Sequence, residues 1–291
     1  MPVIGITRGD AAGIGPEVVA AALASGKLDA RFEYRVIGEK ADARPGEPTP
    51  ATARAALAAL EESARLLRAG EIAAVVTGPI HKARMQAEGF AFPGQTEFFA
   101  ARAGVKDFAM CLTGGALTVA LVTAHVPLHE VAGLLSARKI VRVGRLLATF
   151  LRTRLRREPR IAVAGLNPHA GESGALGREE ITIIAPALVL LNHLPSAIDH
   201  LPFAGPFSPD TVFNRAVAGE FDGVLCMYHD QGLIPLKLHA FDSGVNVTLG
   251  LPFPRTSPDH GTAFELAGKG TARPDSMIAA IRLAGELSVE S

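Results

Sequence analysis

The chain contains no tryptophan, only two cysteines and few aromatic residues, which make up 5% of its 291 positions. Two cysteines in a chain of this length do not form a disulfide framework, and their scarcity favours a reducing compartment. Cys111 and Cys226 both lie inside apolar runs, so we expect them to be buried free thiols.

The sequence also lacks an excess of charge of either sign. Lysine plus arginine and aspartate plus glutamate each total 29, so no global field draws the chain to nucleic acid or to an acidic membrane surface. No run approaches the roughly 18 apolar residues of a membrane span. Arg8 and Asp10 stand where a signal peptide needs an apolar stretch. We therefore expect a cytoplasmic protein with no nucleic-acid partner and no membrane association, in which any cationic function is local.

Hydrophobic residues make up 48% of the chain, which is enough for one large domain or for two lobes with a cleft between them. Segments typical of strands alternate with segments typical of helices, and this predicts an α/β fold with a mostly parallel sheet. Strands are predicted at 3–7, 34–38, 73–77, 108–112, 117–123, 161–166 and 224–227. Helices are predicted at about 52–69, 136–157, 179–191 and 275–287, with further helices beginning near Pro16 and Thr96.

A glycine-rich turn follows the first predicted strand and reads Gly9-Asp10-Ala11-Ala12-Gly13-Ile14-Gly15-Pro16-Glu17. Pro16 fits the first turn of a helix, where its missing N–H costs nothing. The glycine spacing differs from the Rossmann dinucleotide fingerprint, and we identify no acidic residue after a clean second strand. By itself the turn is equally consistent with a backbone that approaches a ligand and with a plain strand-to-helix connection.

Residues suited to chemistry concentrate between positions 223 and 267. His229 and Asp230 follow the predicted strand 224–227 at its carboxyl end, where open α/β sheets bind their ligands. An arginine fork suits a phosphate or carboxylate, and a lysine held near a metal ion can transfer protons. Three polar or charged residues follow further along the chain, where glycine and proline are frequent: Lys237, Asn246 and Arg255. Glycine and proline are typical of loops, so we expect these three residues on loops over the same rim of the sheet.

Three histidines share one local context. His125, His169 and His229 each follow the carboxyl end of a predicted strand. If these strands are neighbours in one sheet, or meet across a dimer, the imidazoles converge, and three imidazoles with an open fourth position suit a catalytic divalent metal such as zinc, cobalt or nickel. The alternative is three ordinary loop histidines. Other histidines lack this placement, and most are expected to be surface or core residues: His81, His129, His193, His200 and His239.

Motifs along essentially the whole chain resemble a known family. The turn Gly9 to Glu17 is similar to the Gly-Asp-Gly-Ile-Gly-Pro-Glu element of the isocitrate and isopropylmalate dehydrogenases, and His260 to Pro274 resembles their nucleotide-binding loop. The segments between are similar to one branch of this superfamily, the 4-hydroxythreonine-4-phosphate dehydrogenases of pyridoxal phosphate biosynthesis. Those segments are Thr77-Gly78-Pro79 with Lys82, Gly94 to Phe98, Leu166 to Glu172, Tyr228 to Gly232 and Asn246 to Thr256.

The resemblance implies a two-lobed α/β fold like that of isocitrate and isopropylmalate dehydrogenase, with mostly parallel sheets flanked by helices and the active site in the interlobe cleft. A nucleotide-binding lobe would comprise residues 1–95 and 247–291. A lobe for metal, substrate and dimerisation would comprise residues 96–246. The resemblance also implies an obligate homodimer in which the two subunits share each active site.

The chemistry that the resemblance implies is NAD-dependent oxidation of a small anionic substrate, 4-phosphooxy-threonine, followed by decarboxylation to 3-amino-2-oxopropyl phosphate. NADP stays open as the cofactor. A divalent metal ion would acidify the alcohol and stabilise the enolate. Zinc is the expected metal, and cobalt and magnesium are the alternatives. Lys237 is the candidate for proton transfer, and Asp230 would orient His229 or Lys237. The implied site comprises His125, His169 and His229 for the metal, Gln95, Thr96, Lys237, Asn246 and Arg255 for the substrate, and Gly250, Leu251, His260, Gly261 and Thr262 for the cofactor.

Two departures from the family pattern bear on the substrate. Gln95 stands where the family has histidine, and glutamine cannot carry a positive charge. The region around Arg44 to Pro50 is also shorter than in the family. Related dehydrogenases that act on a phosphorylated four-carbon sugar acid or on an aromatic cis-dihydrodiol carboxylate therefore stay open. Two further alternatives are a metal-dependent hydrolase that uses the three histidines to activate water, and a non-catalytic binding protein.

Overall fold

The computed structural model describes residues 1–39, 42–193 and 202–289, and His200 lies outside them. The strands are β1 (Val3–Thr7), β2 (Glu33–Ile37), β3 (Ala74–Thr77), β4 (Ala109–Gly114), β5 (Leu117–Leu121), β6 (Ile161–Ala164), β7 (Phe203–Phe207), β8 (Gly223–Cys226), β9 (Val245–Leu249) and β10 (Arg255–Pro258). The helices are α1 (Gly15–Ala24), α2 (Pro50–Arg68), α3 (Lys82–Ala87), α4 (Gln95–Arg102), α5 (Val131–Leu134), α6 (Ala137–Leu155), α7 (Ala185–Asn192), α8 (Val212–Val217), α9 (His229–Ala240) and α10 (Asp275–Ser288). Shorter turns are the 3₁₀ segments Leu128–Glu130 and Pro168–Gly174 and the π-helical turn Glu180–Ile184. No described helix is both long and apolar enough to span a bilayer.

The chain forms two compact units, Met1–Lys106 with Asp242–Ser291, and Asp107–Phe241. The predicted boundary after residue 95 differs from this division, because α4 belongs to the first unit. Phe98 and Phe99 of that helix are fully buried in the core of the first unit. Both cysteines are buried free thiols in the second unit, as expected.

The first unit contains five strands in the order β2-β1-β3-β10-β9. β1 pairs in parallel with β2 and β3, β10 continues in parallel with β3, and β9 runs antiparallel at the end. Helix α2 covers this sheet because alanine and leucine recur at helical spacing on one face, at positions 53, 56, 60, 64 and 67. It begins where expected for its sequence: Thr49 caps the first turn through its hydroxyl, and Pro50 takes the first helical position.

The described residues of the second unit, 107–193 and 202–241, contain five strands in the order β4-β5-β8-β6-β7. β4 and β5 form an antiparallel hairpin, and β5, β8, β6 and β7 follow one another in parallel. The strands that precede the three candidate histidines are therefore neighbours in one sheet, which is one of the two conditions under which the imidazoles could converge. β7 was not predicted because Gly205 and Pro206 interrupt it, and such residues are tolerated at the edge of a sheet.

Three residues expected on loops lie in regular structure. Lys237 is in helix α9, Asn246 is in β9 and Arg255 begins β10. The prediction was wrong because glycine and proline were taken as breaks in the chain. Gly232 instead lets α9 pack closely, since a Cβ atom there would lie 3.1 Å from the Cys226 sulfur on β8.

The glycine-rich turn after β1 is a site of close backbone packing. A Cβ atom on Gly15 would lie 1.8 Å from the carbonyl oxygen of Arg8, and one on Gly9, where φ is +71°, would lie 2.1 Å from that of Pro79. The N–H of Asp10 donates to the same Pro79 oxygen at 2.9 Å. The turn is therefore more than a plain connection, since glycine is required where the backbone segments meet.

Replacing Gly15 by alanine is expected to lower the free energy of unfolding by at least about 3 kcal/mol, because backbone must move to admit the new atom. Gly133→Ala is the matched control: nothing lies within 4 Å of the Cβ that it would add. There alanine should stabilise helix α5 by about 0.5–1 kcal/mol relative to glycine. Urea denaturation measures both effects, and equal stability of the two variants would contradict the close packing.

Candidate active site

The carboxyl ends of β5, β8 and β6 are tied together through the backbone of one residue, Met227. The carbonyl oxygen of Met227 accepts hydrogen bonds from the N–H and the hydroxyl of Thr123, at 3.2 and 2.8 Å. The N–H of Met227 donates to Oε1 of Gln231 at 2.7 Å, and Nε2 of the same buried glutamine donates to the Gly165 carbonyl at 2.7 Å. The segments that carry the three histidines therefore begin from a fixed edge. Sequence reasoning missed this role of Gln231, since no pattern distinguishes it from a surface glutamine.

His125 and His229 lie next to each other at this edge. Their ring centroids are 5.4 Å apart, and the rings are inclined by 43°. His229 is the first residue of α9, and its Nδ1 lies 2.7 Å from Oδ1 of Asp230. This is the contact that the expected orienting role of Asp230 needs. His125 has a left-handed backbone, with φ of +54°, which is uncommon outside glycine.

His169 stands on an unusual stretch of backbone. Five consecutive residues, His169 to Ser173, have left-handed φ values between 40° and 81°. Only one of the five is glycine, and for the others this conformation costs about 1–2 kcal/mol each. Nδ1 of His169 lies 2.7 Å from Oε1 of Glu172 within the same segment. Strain of this kind clusters at functional sites, where the surrounding structure must hold it in place.

Glu180, at the start of the π-helical turn, fixes the two residues from which the loop to His169 begins. Its buried carboxylate accepts hydrogen bonds from the backbone N–H groups of Leu166 and Asn167, at 2.7 and 2.8 Å, and from the Asn167 side chain at 3.0 Å. Burial alone would raise the pKa of Glu180, but these bonds favour the charged form and leave the pKa lowered. The sequence did not reveal the role of this residue, because no local pattern distinguishes Glu180 from its neighbour Glu179.

The donor set of these histidines fits a divalent metal ion. A carboxylate that accepts Nδ1–H fixes the tautomer in which Nε2 carries the lone pair, and both His169 and His229 have such a carboxylate at Nδ1. The structure brings His125 and His229 together, but it does not bring all three histidines into one group. Over residues 1–39, 42–193 and 202–289, no cluster of three His, Cys, Asp or Glu side chains within the chain could hold a metal.

Lys237 lies two turns beyond His229 on α9. Eight residues correspond to a rise of about 12 Å along the helix between the backbones of His229 and Lys237. Its Nζ is 5.9 Å from the ring centroid of Phe241. Asp230 was expected to orient either His229 or Lys237, and in the structure its carboxylate contacts His229.

Arg255, in the first unit, is a buried cation held by neutral groups. Only 3% of the residue is exposed, and its guanidinium donates to the hydroxyls of Thr77 and Thr248, at 2.6 and 3.3 Å, and to Oε1 of Gln95 at 3.3 Å. Its Nε has no hydrogen-bond partner in the described part of the chain. Burial lowers the pKa of Arg255 to about 10, and the charge of Glu97 offsets this only in part. An anionic group at this position would therefore be strongly bound.

The other predicted substrate residues of the first unit surround this guanidinium. Gln95 begins α4, and both ends of its side chain are engaged, since Nε2 donates to the Gly78 carbonyl at 3.1 Å while Oε1 accepts from Arg255. Thr96 has its hydroxyl 3.3 Å from that of Thr248. Oδ1 of Asn246 is buried and has no partner among the described residues. It is an acceptor available to a donor on a ligand.

The predicted cofactor residues follow β9 and β10 in the first unit. Gly250, directly after β9, has φ of +88°, and Leu251 is half-buried beside it. His260, Gly261 and Thr262 follow β10, and the carbonyl oxygen of Thr262 accepts the N–H of Ile14 at 2.9 Å. The predicted nucleotide loop is therefore attached to the glycine-rich turn after β1.

Comparison with known proteins gives one consistent family. A family model described as pyridoxal phosphate biosynthetic protein PdxA matches residues 16–284. A 4-hydroxythreonine-4-phosphate dehydrogenase of Bradyrhizobium diazoefficiens is 46% identical over 284 residues, which cover 94% of this chain and 81% of that protein. The crystal structure of the corresponding enzyme from Klebsiella pneumoniae has a TM-score of 0.82 at 34% identity and covers 99% of this chain and 100% of that one.

Two further solved structures resemble this chain at lower sequence identity. A terephthalate 1,2-cis-dihydrodiol dehydrogenase from Burkholderia xenovorans has a TM-score of 0.69 at 27% identity, over 98% of both chains. An isocitrate dehydrogenase from Methylococcus capsulatus has a TM-score of 0.57 at 16% identity, over 100% of this chain and 85% of that one, and so shares the fold alone. The predicted α/β fold, with the likeness of that fold to isocitrate dehydrogenase, is confirmed.

Replacing Glu180 by glutamine is expected to lower the free energy of unfolding at pH 7 by about 1–3 kcal/mol, because a neutral amide accepts the backbone bonds more weakly. The pKa of Glu180 is lowered in the folded state, so its stabilisation is present above the pKa of the unfolded chain and is lost as the pH falls through the folded value. The difference between the natural protein and the variant should therefore shrink below about pH 4.

Urea denaturation between pH 3 and 8 measures this difference. Glu179→Gln is the control, since the carboxylate of Glu179 accepts from the Asn167 side chain at 2.7 Å. An effect of Glu180→Gln that is no larger than that of Glu179→Gln, or that does not change with pH, would rule out the supporting role.

Proposed function

The chain belongs to the PdxA family of pyridoxal phosphate biosynthetic proteins, and from this membership we propose that it oxidises and decarboxylates 4-phosphooxy-threonine. In the proposed reaction the alcohol carbon loses a hydride to NAD and the hydroxyl loses its proton, which gives a β-keto acid. The bond to the carboxylate then breaks and carbon dioxide leaves. The remaining electron pair takes up a proton, and the product is 3-amino-2-oxopropyl phosphate.

The buried guanidinium of Arg255 is the observation that carries this proposal. Its hydrogen bonds go to neutral oxygens of Thr77, Thr248 and Gln95, so a substrate phosphate or carboxylate would supply the missing counter-charge. An arginine fork binds either group through two parallel bonds. The hydroxyl of Thr96 and the unpartnered Oδ1 of Asn246 add an uncharged donor and acceptor that would fix the orientation of the substrate.

We propose that His125, His169 and His229 hold a divalent metal ion. Zinc is proposed first because imidazole suits it, with cobalt and magnesium as alternatives. When bound, the ion supplies a Lewis acid for the alcohol oxygen. Within the chain, Glu172 and Asp230 hold the two Nδ1 atoms and so keep the imidazoles aligned. Lys237 is the proposed carrier of the transferred proton.

NAD is the proposed cofactor, with NADP as the alternative, and its proposed contacts are Gly250, Leu251 and the segment His260 to Thr262. The tie between Thr262 and Ile14 supports this assignment, because it holds the loop against the closely packed turn after β1. A metal-dependent hydrolase would have no use for such a loop.

We propose a homodimer because the outer face of α9 is apolar and exposed. Ile234, Leu238 and Phe241 recur at helical spacing and are 65%, 89% and 71% exposed, while other residues of the same helix are buried in the second unit. An apolar stripe of this kind on a chain surface marks an interaction site. Because His169 is not grouped with His125 and His229 among the described residues of one chain, we propose that a second copy completes the active site.

Gln95 supports a second candidate, a dehydrogenase for another hydroxy acid. The likeness at 27% identity to a terephthalate 1,2-cis-dihydrodiol dehydrogenase is in keeping with a fold that serves different substrates. Gln95 also differs from the family histidine in charge, and it is hydrogen-bonded to the proposed anion-binding arginine. The alternatives are a phosphorylated four-carbon sugar acid and an aromatic cis-dihydrodiol carboxylate.

We expect the metal-reconstituted protein to reduce NAD with 4-phosphooxy-threonine, and Arg255→Met to raise KM at least about 30-fold, since losing a buried charge pair costs about 2–5 kcal/mol or more. Methionine fills a similar volume without a desolvated charge, so the free energy of unfolding should stay within about 1 kcal/mol or rise. NADH absorbance and urea denaturation provide the two readouts.

Arg31→Met is the matched control, because Arg31 is exposed, is paired with Asp29 and lies outside every assigned site. The two alternative acids and a Gln95→His variant are assayed beside the threonine compound. Activity only on another acid, or activity on the threonine compound only after Gln95→His, would mean that the substrate differs from the one proposed. Absence of NADH formation with all three acids would reject a dehydrogenase of this kind.

Leu238→Glu is expected to convert a dimer into monomers, because a charge placed in the centre of the apolar stripe cannot be desolvated without a partner. Sedimentation velocity at micromolar concentration measures the state. Val217→Glu is the control, since Val217 is an apolar residue 37% exposed on a different helix, α8. Loss of activity should accompany dissociation if the site is shared. A natural protein that sediments as a monomer would exclude the proposed homodimer.

A further inference from the structure

Lys82 is a cationic residue of the first unit that the proposed reaction does not use. It ends the segment Thr77 to Lys82, one of the motifs that carry the family resemblance, and it begins helix α3. We propose that Lys82 is a specificity-determining residue that binds the phosphate group of the substrate at the amino-terminal end of α4. The assignment rests on the proposed function, since it adds a residue to the same substrate site.

The ammonium group of Lys82 lies at the amino-terminal end of α4. His81 caps α3 through Nδ1, which accepts the N–H of Arg84 at 3.3 Å and so fixes the backbone from which the lysine extends. Gly94 is the cap residue of α4, and a Cβ atom on it would lie 3.7 Å from Nζ of Lys82 and 3.1 Å from Oε2 of Glu97. Because residue 94 is glycine, no side-chain atom of its own fills the space beside the lysine.

The start of α4 has the features of an anion-binding helix end. No side chain caps this eight-residue helix, so no capping oxygen accepts the backbone N–H groups of its first turn. Such N–H groups and the positive end of the helix dipole favour a phosphate. Lys82 adds a full positive charge at the same end.

Arg255 provides an independent observation that points to a ligand here. Its guanidinium donates at 3.3 Å to Oε1 of Gln95, the first residue of α4, and at 3.3 Å to the hydroxyl of Thr248, which lies beside that of Thr96. Arg255 is 3% exposed, and its Nε has no hydrogen-bond partner in the described part of the chain. A buried donor without an acceptor indicates that a ligand reaches this end of the helix.

The charges beside the first turn of α4 leave Lys82 available to an anion. Lys82 is exposed, and it forms no ion pair with any residue in the ranges 1–39, 42–193 and 202–289. Glu97 on the first turn would repel an anionic ligand, and the ammonium group offsets that charge. Lys82 also supplies a positive charge that Gln95, in place of the family histidine, cannot carry.

The two cations suit different anionic groups of the proposed substrate, which has a carboxylate and a phosphate. The planar fork of Arg255 binds a carboxylate through two parallel hydrogen bonds. The three oxygens of a phosphate suit a lysine together with several N–H groups. A phosphate also retains part of its hydration beside the exposed Lys82, whereas burial of its larger charge beside Arg255 would cost more. The phosphate is therefore assigned to Lys82 and the carboxylate to Arg255.

Isothermal titration calorimetry without NAD measures ligand binding in the absence of turnover. The ligands are 4-phosphooxy-threonine and 4-hydroxythreonine, which differ only in the phosphate, and the phosphorylated four-carbon sugar acid with its unphosphorylated form. We expect Lys82→Met to raise the Kd of a phosphorylated ligand about five- to tenfold, since a charge-assisted bond at a partly solvated position is lost. The Kd of the unphosphorylated partner should not change.

Lys106→Met is the matched control, because Lys106 is an exposed lysine of the first unit that follows the opposite end of α4. It should leave the Kd of every ligand unchanged. Lys82→Arg keeps the positive charge and should retain most of the affinity for the phosphorylated ligand. Loss of affinity in Lys82→Met that is equal for phosphorylated and unphosphorylated ligands would show a structural role and would overturn the assignment.

The remaining outcomes separate this assignment from the proposed function. Phosphate-dependent binding that is weakened in Lys82→Met supports the assignment even if neither acid is oxidised. Oxidation of 4-phosphooxy-threonine by a protein in which Lys82→Met and Lys106→Met bind it alike would support the function and reject the role of Lys82. The role is also rejected if no phosphorylated ligand binds more tightly than its unphosphorylated partner.

Discussion

The arrangement of the second unit depends on the backbone N–H and carbonyl of one residue, Met227. Its carbonyl oxygen accepts two hydrogen bonds from Thr123, and its N–H donates to Gln231, which in turn bonds to Gly165. Parallel strands of different length could end at different heights, and these bonds hold three neighbouring strand ends in register. His125, His169 and His229 stand within four residues of this edge. Backbone pairing therefore determines where the three histidines lie along the sheet edge. The contacts of their own side chains affect only the orientation of the rings.

Much of the fold could be predicted from the sequence, and the reasons for the failures are physical. β1 and α10 follow directly from apolar runs and helical periodicity, which report burial along the chain. Residues whose role lies in contacts remote in sequence could not be found this way. Glu180 and Gln231 are buried polar residues that serve a loop more than ten residues distant or a neighbouring strand. Periodicity says nothing about such contacts.

The candidate site was predicted in part for the same reason. Histidines after strands could be identified because strand ends are visible in sequence, and the order β5-β8-β6 brought two of them together. The surroundings of Arg255 could not be identified, since they combine residues from β3, α4, β9 and β10. Those surroundings also suggest why glutamine is tolerated at position 95. A protonated histidine there would repel the buried guanidinium, whereas a glutamine carbonyl accepts a bond from it.

The left-handed stretch from His169 to Ser173 limits how this part of the protein can evolve. β-branched residues are excluded from such backbone more strongly than unbranched ones, so most single substitutions toward valine, isoleucine or threonine would be removed by selection. A glycine would relieve strain, but it would also widen the ensemble of the loop that positions an imidazole. Sequence drift in this segment is therefore restricted to a few small or flexible residues. An insertion or deletion of one residue would turn the histidine away from the strand edge, and such changes should be rare among functional descendants.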